Sequence, residues 1–542
     1  HPAGPELAIL LRPIHEPSPV VHVEVKLVVA DASFPLWRIL RSPADRIANA
    51  VARDDKGDLA VSVEAKGPSV ELTMARPTSG PVHLQYDVRA NSEAPDDPLG
   101  QLVLEDRFRG AGEGLIALPE TIDDAPIPTL LRIDGDALRA PNAASSLGWG
   151  ATRRAQIRPR ALRYSSFLSG SMGGAIFEDQ SAGRDEAGWL GYTAFDPRPA
   201  MAELAVVRSA LGEQFKTHED APQNYLLIAQ TRPIGSFSTT GRAGSVLVQV
   251  GPSEPWSASL QLSVVQQLVH RWIGGELRMA AAGGHEAEAW WFNDGVARYV
   301  AMHTLSRLGM VTPADVRSEI AGQLSVLATT PYGKHTNVEL AELAAAHDVA
   351  RAVLVARGAL YAAREAAVIN ARSKGERSLD LVLRALVGHA AESGQHALTP
   401  AAWVDALAKD DPDAQHAFDE AIGQGVGIEL PATALGPCFH PASGDYVAFD
   451  PGFDVVATSE SKDGRVVGLR ADGPAAKGGL REGDLVESMI DREGDPEVPV
   501  KIAVSRAGSK VSVTYVPTGS HGRGQTWTRL RTVADDRCGE MP

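Results

Sequence analysis

Four side chains near the middle of the chain carry the chemistry worth weighing: Gln266, Gln267, His270 and Asp294. Gln266 and His270 are four positions apart, which puts them on one helix face, a turn from each other. An imidazole and a carboxylate are groups that hold a divalent metal or pass a proton. A glutamine amide does neither well. It brings no charge and no imidazole lone pair to zinc, and it takes no proton from water near neutral pH.

These residues lie in the stretch from Gln261 to Tyr299, which reads as two helices joined by a glycine-containing turn, Ala281 to Gly284. On the first, Leu262, Val265, Leu268, Val269 and Trp272 recur at near-helical spacing and predict a buried stripe. On the second, Trp290, Trp291 and Phe292 lead into Asp294, Gly295 and Tyr299.

The stretch resembles the catalytic segment of the glycyl aminopeptidase family, thermolysin-like (gluzincin) metallopeptidases with a C-terminal PDZ domain. Active members carry His-Glu-x-x-His on the first helix and Trp-x-x-Glu-Gly on the second. Their two histidines and later glutamate bind zinc, and the glutamate inside the first motif activates water. The matching segments here are Gln266-Gln267-Leu268-Val269-His270 and Trp291-Phe292-Asn293-Asp294-Gly295. By that resemblance Gln266 replaces a ligand, Gln267 replaces the general base, Asp294 shortens the third ligand, and only His270 is unchanged. Catalytic zinc takes three protein ligands plus water, and His270 with Asp294 supplies two. The expectation is therefore no metal and no other cofactor.

The resemblance extends to two further places. The family's substrate strand carries Gly-x-Glu-His near a Ser-Thr pair; the stretch from Pro233 to Leu247 keeps Gly235, Ser238 and Thr239 but no glutamate or histidine to hold a peptide amino terminus. Ser238 lacks the Gly-x-Ser-x-Gly elbow of a serine nucleophile. Val355 stands where the family's Tyr-x-Lys-Gly places an oxyanion donor, with Tyr361 within two turns as a substitute. Ligand, base, amino-terminus clamp and oxyanion donor are all replaced.

Three readings follow. The cleft is a hydrogen-bonded polar patch, with Asp294 accepting from His270, in a silent peptide- or protein-binding module. Alternatively, His270 and Asp294 act as an acid–base pair in a metal-free hydrolase or lyase, joined by His285 and Glu286. As a third reading, His270 and Asp294 gather His285 or Glu276 into a divergent metal site.

The rest of the chain frames this segment. Its 542 residues exceed one core and predict several domains. Alternation at His22 to Val28, with similar runs at Leu59 to Val63 and Pro81 to Tyr86, predicts strands. Phe34-Pro35-Leu36-Trp37 is similar to the Pro-x-Trp signature of the family's N-terminal β domain. Ala- and Leu-rich runs such as Leu354 to Ala371 predict helices. The fold class expected is α+β multidomain: a β-rich domain over 1–170, a thermolysin-like, mainly helical peptidase-type domain over 171–435, a PDZ-like domain over 436–520, and a polar tail over 521–542 lying along the surface.

Within the PDZ-like segment, Gly473-Pro474-Ala475-Ala476-Lys477-Gly478-Gly479-Leu480 is close to the PDZ Ser-Pro-Ala-x-x-Ala-Gly-Leu motif. There Gly452 and Phe453 are candidates for the loop that receives a peptide C-terminus. A formal charge of −16 argues against nucleic acid or an anionic membrane as partner, and no apolar run predicts a transmembrane helix. The opening His1-Pro2-Ala3-Gly4 reads as a mature end after signal-peptide removal or as an expression boundary. Paired, Cys438 and Cys538 would close a loop of about 100 residues, worth roughly 4–5 kcal/mol in the chain-entropy account, and would favour a periplasmic or secreted protein.

Overall fold

Alternation of apolar and polar residues builds the N-terminal region. In the computed structural model, which describes residues 6–28, 33–90, 100–138, 142–179, 183–191, 193–216, 225–230, 237–242, 244–251, 253–281, 283–344, 347–461, 464–490, 495–534, 537–538 and 541–542, Val20–Val28 is a strand. Its Val21, Val23, Val25 and Leu27 face inward, while the residues between them face out. It pairs with Glu6–Ile14 on one side and Val82–Arg89 on the other, inside a seven-stranded sheet. A four-stranded sheet that includes Leu36–Ile39 closes the same core. Trp37 is fully buried there and its indole N–H donates to Phe34 O at 2.9 Å. Tyr86, also fully buried, donates to Leu115 O at 2.6 Å and accepts from Ala117 N at 2.8 Å. Burial pushes its phenol well above the usual range, so it stays a neutral peg between sheet and loop.

The middle of the chain opens with a five-stranded sheet ordered Met172–Asp179, Gly183–Leu190, Tyr225–Gln230, Ser245–Val250, Phe237–Arg242. Ser245–Val250 is buried at every position, because the strand lies between two neighbours with both faces covered. Phe237–Arg242 is the edge strand. Helices then follow, notably Ala258–Val269, Pro313–Thr329 and the long Asp348–Arg372. They share one large core with the sheet. No described helix is long and apolar enough to cross a membrane.

Beyond the helices, Phe439–Phe449 pairs with Thr518–Arg529 as a two-stranded ribbon. The ribbon lies on helix Pro313–Thr329, where Ser520 Oγ donates to Thr329 O at 2.7 Å. Between its strands sits a small core of Phe453, Val466, Leu480, Val500, Ile502 and Val504 under three antiparallel strands. The tail over 521–542 is mostly exposed or half-exposed, and three inward residues tie it down. Trp527, Cys538 and Met541 are buried in the main core, and Cys538 is disulfide-bonded to Cys438. The polar residues of this segment alternate outward along a strand and hide the inward ones in its average composition.

The N-terminal region and the sheet are joined by a buried ion pair. Arg242, the last residue of the edge strand, sends Nη1 to Glu113 Oε1 at 2.7 Å and Nη2 to the other carboxylate oxygen, and Nη2 also donates to Ser165 O at 2.9 Å. Both side chains are under a tenth exposed. Glu113→Ala leaves this guanidinium uncompensated in the interior. A loss of about 3–5 kcal/mol of unfolding free energy is expected in urea titration, with the released edge strand giving faster amide exchange.

Candidate functional site

The helix Ala258–Val269 starts where Ser257 accepts from Leu260 N at 3.3 Å. Leu262, Val265 and Val269 form its buried stripe, with Trp272 just beyond its end. That stripe seats the helix so that Gln266, Gln267 and His270 rise at its last turn. The next segment is more broken than the two-helix expectation. Arg278–Met279 pairs with Ala397–Leu398, Glu286–Ala289 is a 3-10 turn, and Trp291–Val296 is a π-helical turn running into the helix Ala297–Arg307. Ala282, inside the expected turn, lies outside the described residues.

The π-turn is pressed against the long helix. A Cβ on Gly358 would lie 1.6 Å from Trp291 O, and one on Gly295 would lie 2.7 Å from Val355 O. Trp291 anchors the turn from beneath through edge contacts with Phe292, Tyr361, Trp403 and Phe418. Asp294 is thereby held over the motif helix, half-buried, with Oδ1 3.7 Å from His270 Nε2 and 3.8 Å from Arg351 Nη2. Arg351 itself lies over the Trp290 ring at 4.6 Å.

Gln266 is buried and uses both ends of its amide. Nε2 donates to the backbone O of Asp294 at 3.1 Å, and Oε1 accepts from Arg298 Nη1 at 3.2 Å. Arg298 turns its other nitrogens to Glu319, at 2.6 and 3.0 Å, and Gln323 donates to the same carboxylate at 2.6 Å. Burial pushes the Glu319 carboxyl up. The charge and hydrogen bonds of Arg298, with Gln323, outweigh it and hold the group below the ordinary glutamate value. Gln267 accepts from Gly241 N on the edge strand at 3.0 Å.

Zinc does not fit this set. The amide oxygen of Gln266 is committed to a guanidinium, whose positive charge would oppose a dication beside it. His270 and Asp294 remain as two ligands where three are needed. His285 and Glu286 are exposed where the 3-10 turn begins, and Glu276 pairs instead with His396 at 3.2 Å. Among the described residues no group of three or more His, Cys, Asp or Glu side chains is arranged to hold a metal ion.

The structure brings together Gln266, Gln267, His270 and Asp294. It sends Tyr361 elsewhere, into the aromatic core and fully buried, with burial raising its phenol well above the usual value. Val355 presents its carbonyl to the π-turn and offers no side-chain donor. Thr239 Oγ1 meets Ser263 Oγ at 2.7 Å and Ser238 Oγ donates to Gln249 Oε1 at 3.4 Å. Gly235 lies outside the described residues. In the C-terminal module Gly452, at φ +81°, already gives its N–H to Asp450 Oδ1 at 2.8 Å, and Phe453 is buried.

Sequence reasoning missed Arg298, Glu319, Gln323 and Arg351. Arg298 had a signal, since it follows Asp294 at helical spacing on the same face. The others come from helices distant in sequence.

Among solved structures the chain is similar to the aminopeptidase N family protein from Idiomarina loihiensis, with a TM-score of 0.69 and 15% identity over 98% of this chain and 100% of that one. The fold is that of an aminopeptidase N family protein. A second similar structure is the M1 zinc metallopeptidase from Deinococcus radiodurans, with a TM-score of 0.49 and 14% identity over 79% of this chain and 94% of that one. No protein-family profile and no curated protein matches the chain. At this identity the likeness concerns the aminopeptidase N backbone arrangement alone.

Two measurements test the site's construction. Glu319→Gln should cost about 1–2 kcal/mol at pH 7, between an exposed and a fully buried pair. A depressed carboxyl pKa stabilises above the unfolded value and stops doing so as pH falls through the folded one. The gap to wild type should therefore close as urea titrations move below about pH 4.5. Gly358→Ala should destabilise at or beyond the upper end of the roughly 1–3 kcal/mol typical of overpacking, because the clash is with backbone.

Proposed function

We propose that this chain is a glycyl-aminopeptidase-like protein that has lost the zinc site and peptidase chemistry, and that it binds peptide or protein segments. The observation that carries the reading is the amide of Gln266, bonded at once to the backbone of Asp294 and to the Arg298 guanidinium. A cleft that fills its ligand position with a satisfied amide and a cation is built to stay free of metal. Gln267 supports the same reading: its oxygen is taken by the edge strand, so its NH2 is left as a donor for a ligand carbonyl.

The reading includes a PDZ-type module over the small C-terminal core. The loop at Gly452 would take a peptide carboxylate only by displacing the Asp450 side chain. It also includes an oxidising compartment, periplasmic or extracellular, for which the Cys438–Cys538 disulfide is the support.

The metal-free acid–base reading rests on the 3.7 Å approach of His270 to Asp294. The tautomer opposes it. His270 Nδ1 lies 3.1 Å from Ile273 O, which only accepts, so Nδ1 carries the proton and Nε2 faces the carboxylate rather than an open position. An orienting carboxylate would bond the other nitrogen.

Elemental mass spectrometry of protein purified without chelator should find far less than one zinc per chain. Anisotropy titration with fluorescent peptides should give binding that a chelator leaves unchanged, with no release of amino-acid anilides. Stoichiometric zinc, or anilide turnover abolished by His270→Ala in a folded protein, would overturn the proposal.

A further inference from the structure

A cavity of about 700 Å³ opens at the junction of the N-terminal region and the edge strand. This is within the size of small-molecule and peptide pockets. Its floor is apolar, with Leu147, Ala155 and Ile157, and Tyr164 stands exposed at its side. Around it are Arg153, Arg158 and Arg160. Asp124 is the only acidic residue in the lining, and its carboxylate accepts from the backbone N of Arg160 at 2.7 Å. Arg242 also reaches the cavity, but Glu113 neutralises it.

The three arginines are the unusual feature. Among the described residues none of them has a carboxylate partner, on a chain whose formal charge is −16. Arg158 gives one nitrogen to the backbone O of Asp124 at 3.1 Å, and Arg160 lies over Tyr164 at 5.8 Å. Arg153 packs its guanidinium on Gly148, with Nε buried and without a hydrogen-bond partner. With acidic groups in excess elsewhere, three guanidiniums without a carboxylate partner around an apolar floor match a ligand with an apolar body and anionic flanks.

One residue links the cavity to the candidate site. Gly241 lines it and also donates its N–H to Gln267 Oε1 at 3.0 Å. We infer that this pocket receives an acidic stretch of the bound peptide, with carboxylate side chains on Arg153, Arg158 and Arg160 and an apolar side chain on the floor. The inference rests on the peptide-binding reading and adds the class of peptide.

The test is a pair of fluorescein-labelled hexapeptides, Ala-Ala-Glu-Leu-Glu-Ala and its counterpart with glutamine for both glutamates, titrated by anisotropy into the whole chain at low and at physiological salt. The acidic peptide should bind about tenfold or more tighter, and the preference should shrink as salt rises. Arg153→Gln and the double variant Arg158→Gln/Arg160→Gln should each erase most of that preference, lowering the affinity for the acidic peptide far more than that for the glutamine peptide. Because Arg158 and Arg160 are exposed, the double variant tests the pocket even if Arg153→Gln fails to fold. Equal affinity for the two peptides overturns the pocket assignment and leaves peptide binding standing. Binding of neither peptide overturns both. Tight binding of free glutarate without the acidic peptide also overturns the inference, in favour of a small dicarboxylate.

Discussion

The contact of backbone on backbone between Trp291 and Gly358 sets the height of the π-turn above the rest of the helical core, and the site inherits its geometry from that height. Only glycine lets the long helix come so close, since a Cβ there would lie 1.6 Å from a carbonyl oxygen. Asp294 O accepts from Ala297 N as the turn ends, and its second lone pair accepts from Gln266 at 3.1 Å. Aromatic rings beneath Trp291 hold the turn from the other side. A rigid floor and a close-packed roof leave the amide of Gln266 one place to go, and Arg298 then meets its oxygen.

Charge explains why that arrangement is self-consistent. A set of two imidazoles and a carboxylate is incomplete without a cation at its centre. Here the positive charge is covalently attached, as the Arg298 guanidinium, and its compensating carboxylate is Glu319 at 2.6 Å. The neutral amide of Gln266 links this pair to the motif turn through one donor and one acceptor, the combination an amide supplies and an imidazole does not. Arg351 plays a similar part from the solvent side, 3.8 Å from Asp294 and stacked on Trp290. Asp294 thus has positive neighbours without a metal ion.

How much of this was legible in the sequence depends on the distance over which each feature is determined. The alternation of Val21, Val23 and Val25 is local and gave the strand directly. The stripe of Leu262, Val265 and Val269 gave the motif helix, and spacing put Gln266, Gln267 and His270 at one end of it. The meeting of Gln266 with Arg298 and Glu319 needs three helices in place, and no local pattern encodes it. The turn from Trp291 reads as ordinary helix because a π-turn differs by one residue of winding. In the last segment the anchors Trp527 and Met541 are single inward residues among polar ones, which an average composition does not show.

The edge strand Phe237–Arg242 unites the site with the N-terminal region. An edge strand exposes unpaired backbone donors and must be covered or occupied. Near its end, Arg242 is locked by Glu113 from another region of the chain, and Gly241 N is taken by Gln267 from the motif helix. Gln267 therefore does, from the motif helix, the work of a neighbouring strand. A carboxylate could accept the same N–H, but it would offer only acceptors to whatever lies beside it. The amide spends its oxygen on the strand and keeps two N–H donors, which suits a peptide carbonyl and not a water molecule to be deprotonated. The hydrogen-bond polarity of Gln267 is thus set by the strand it holds.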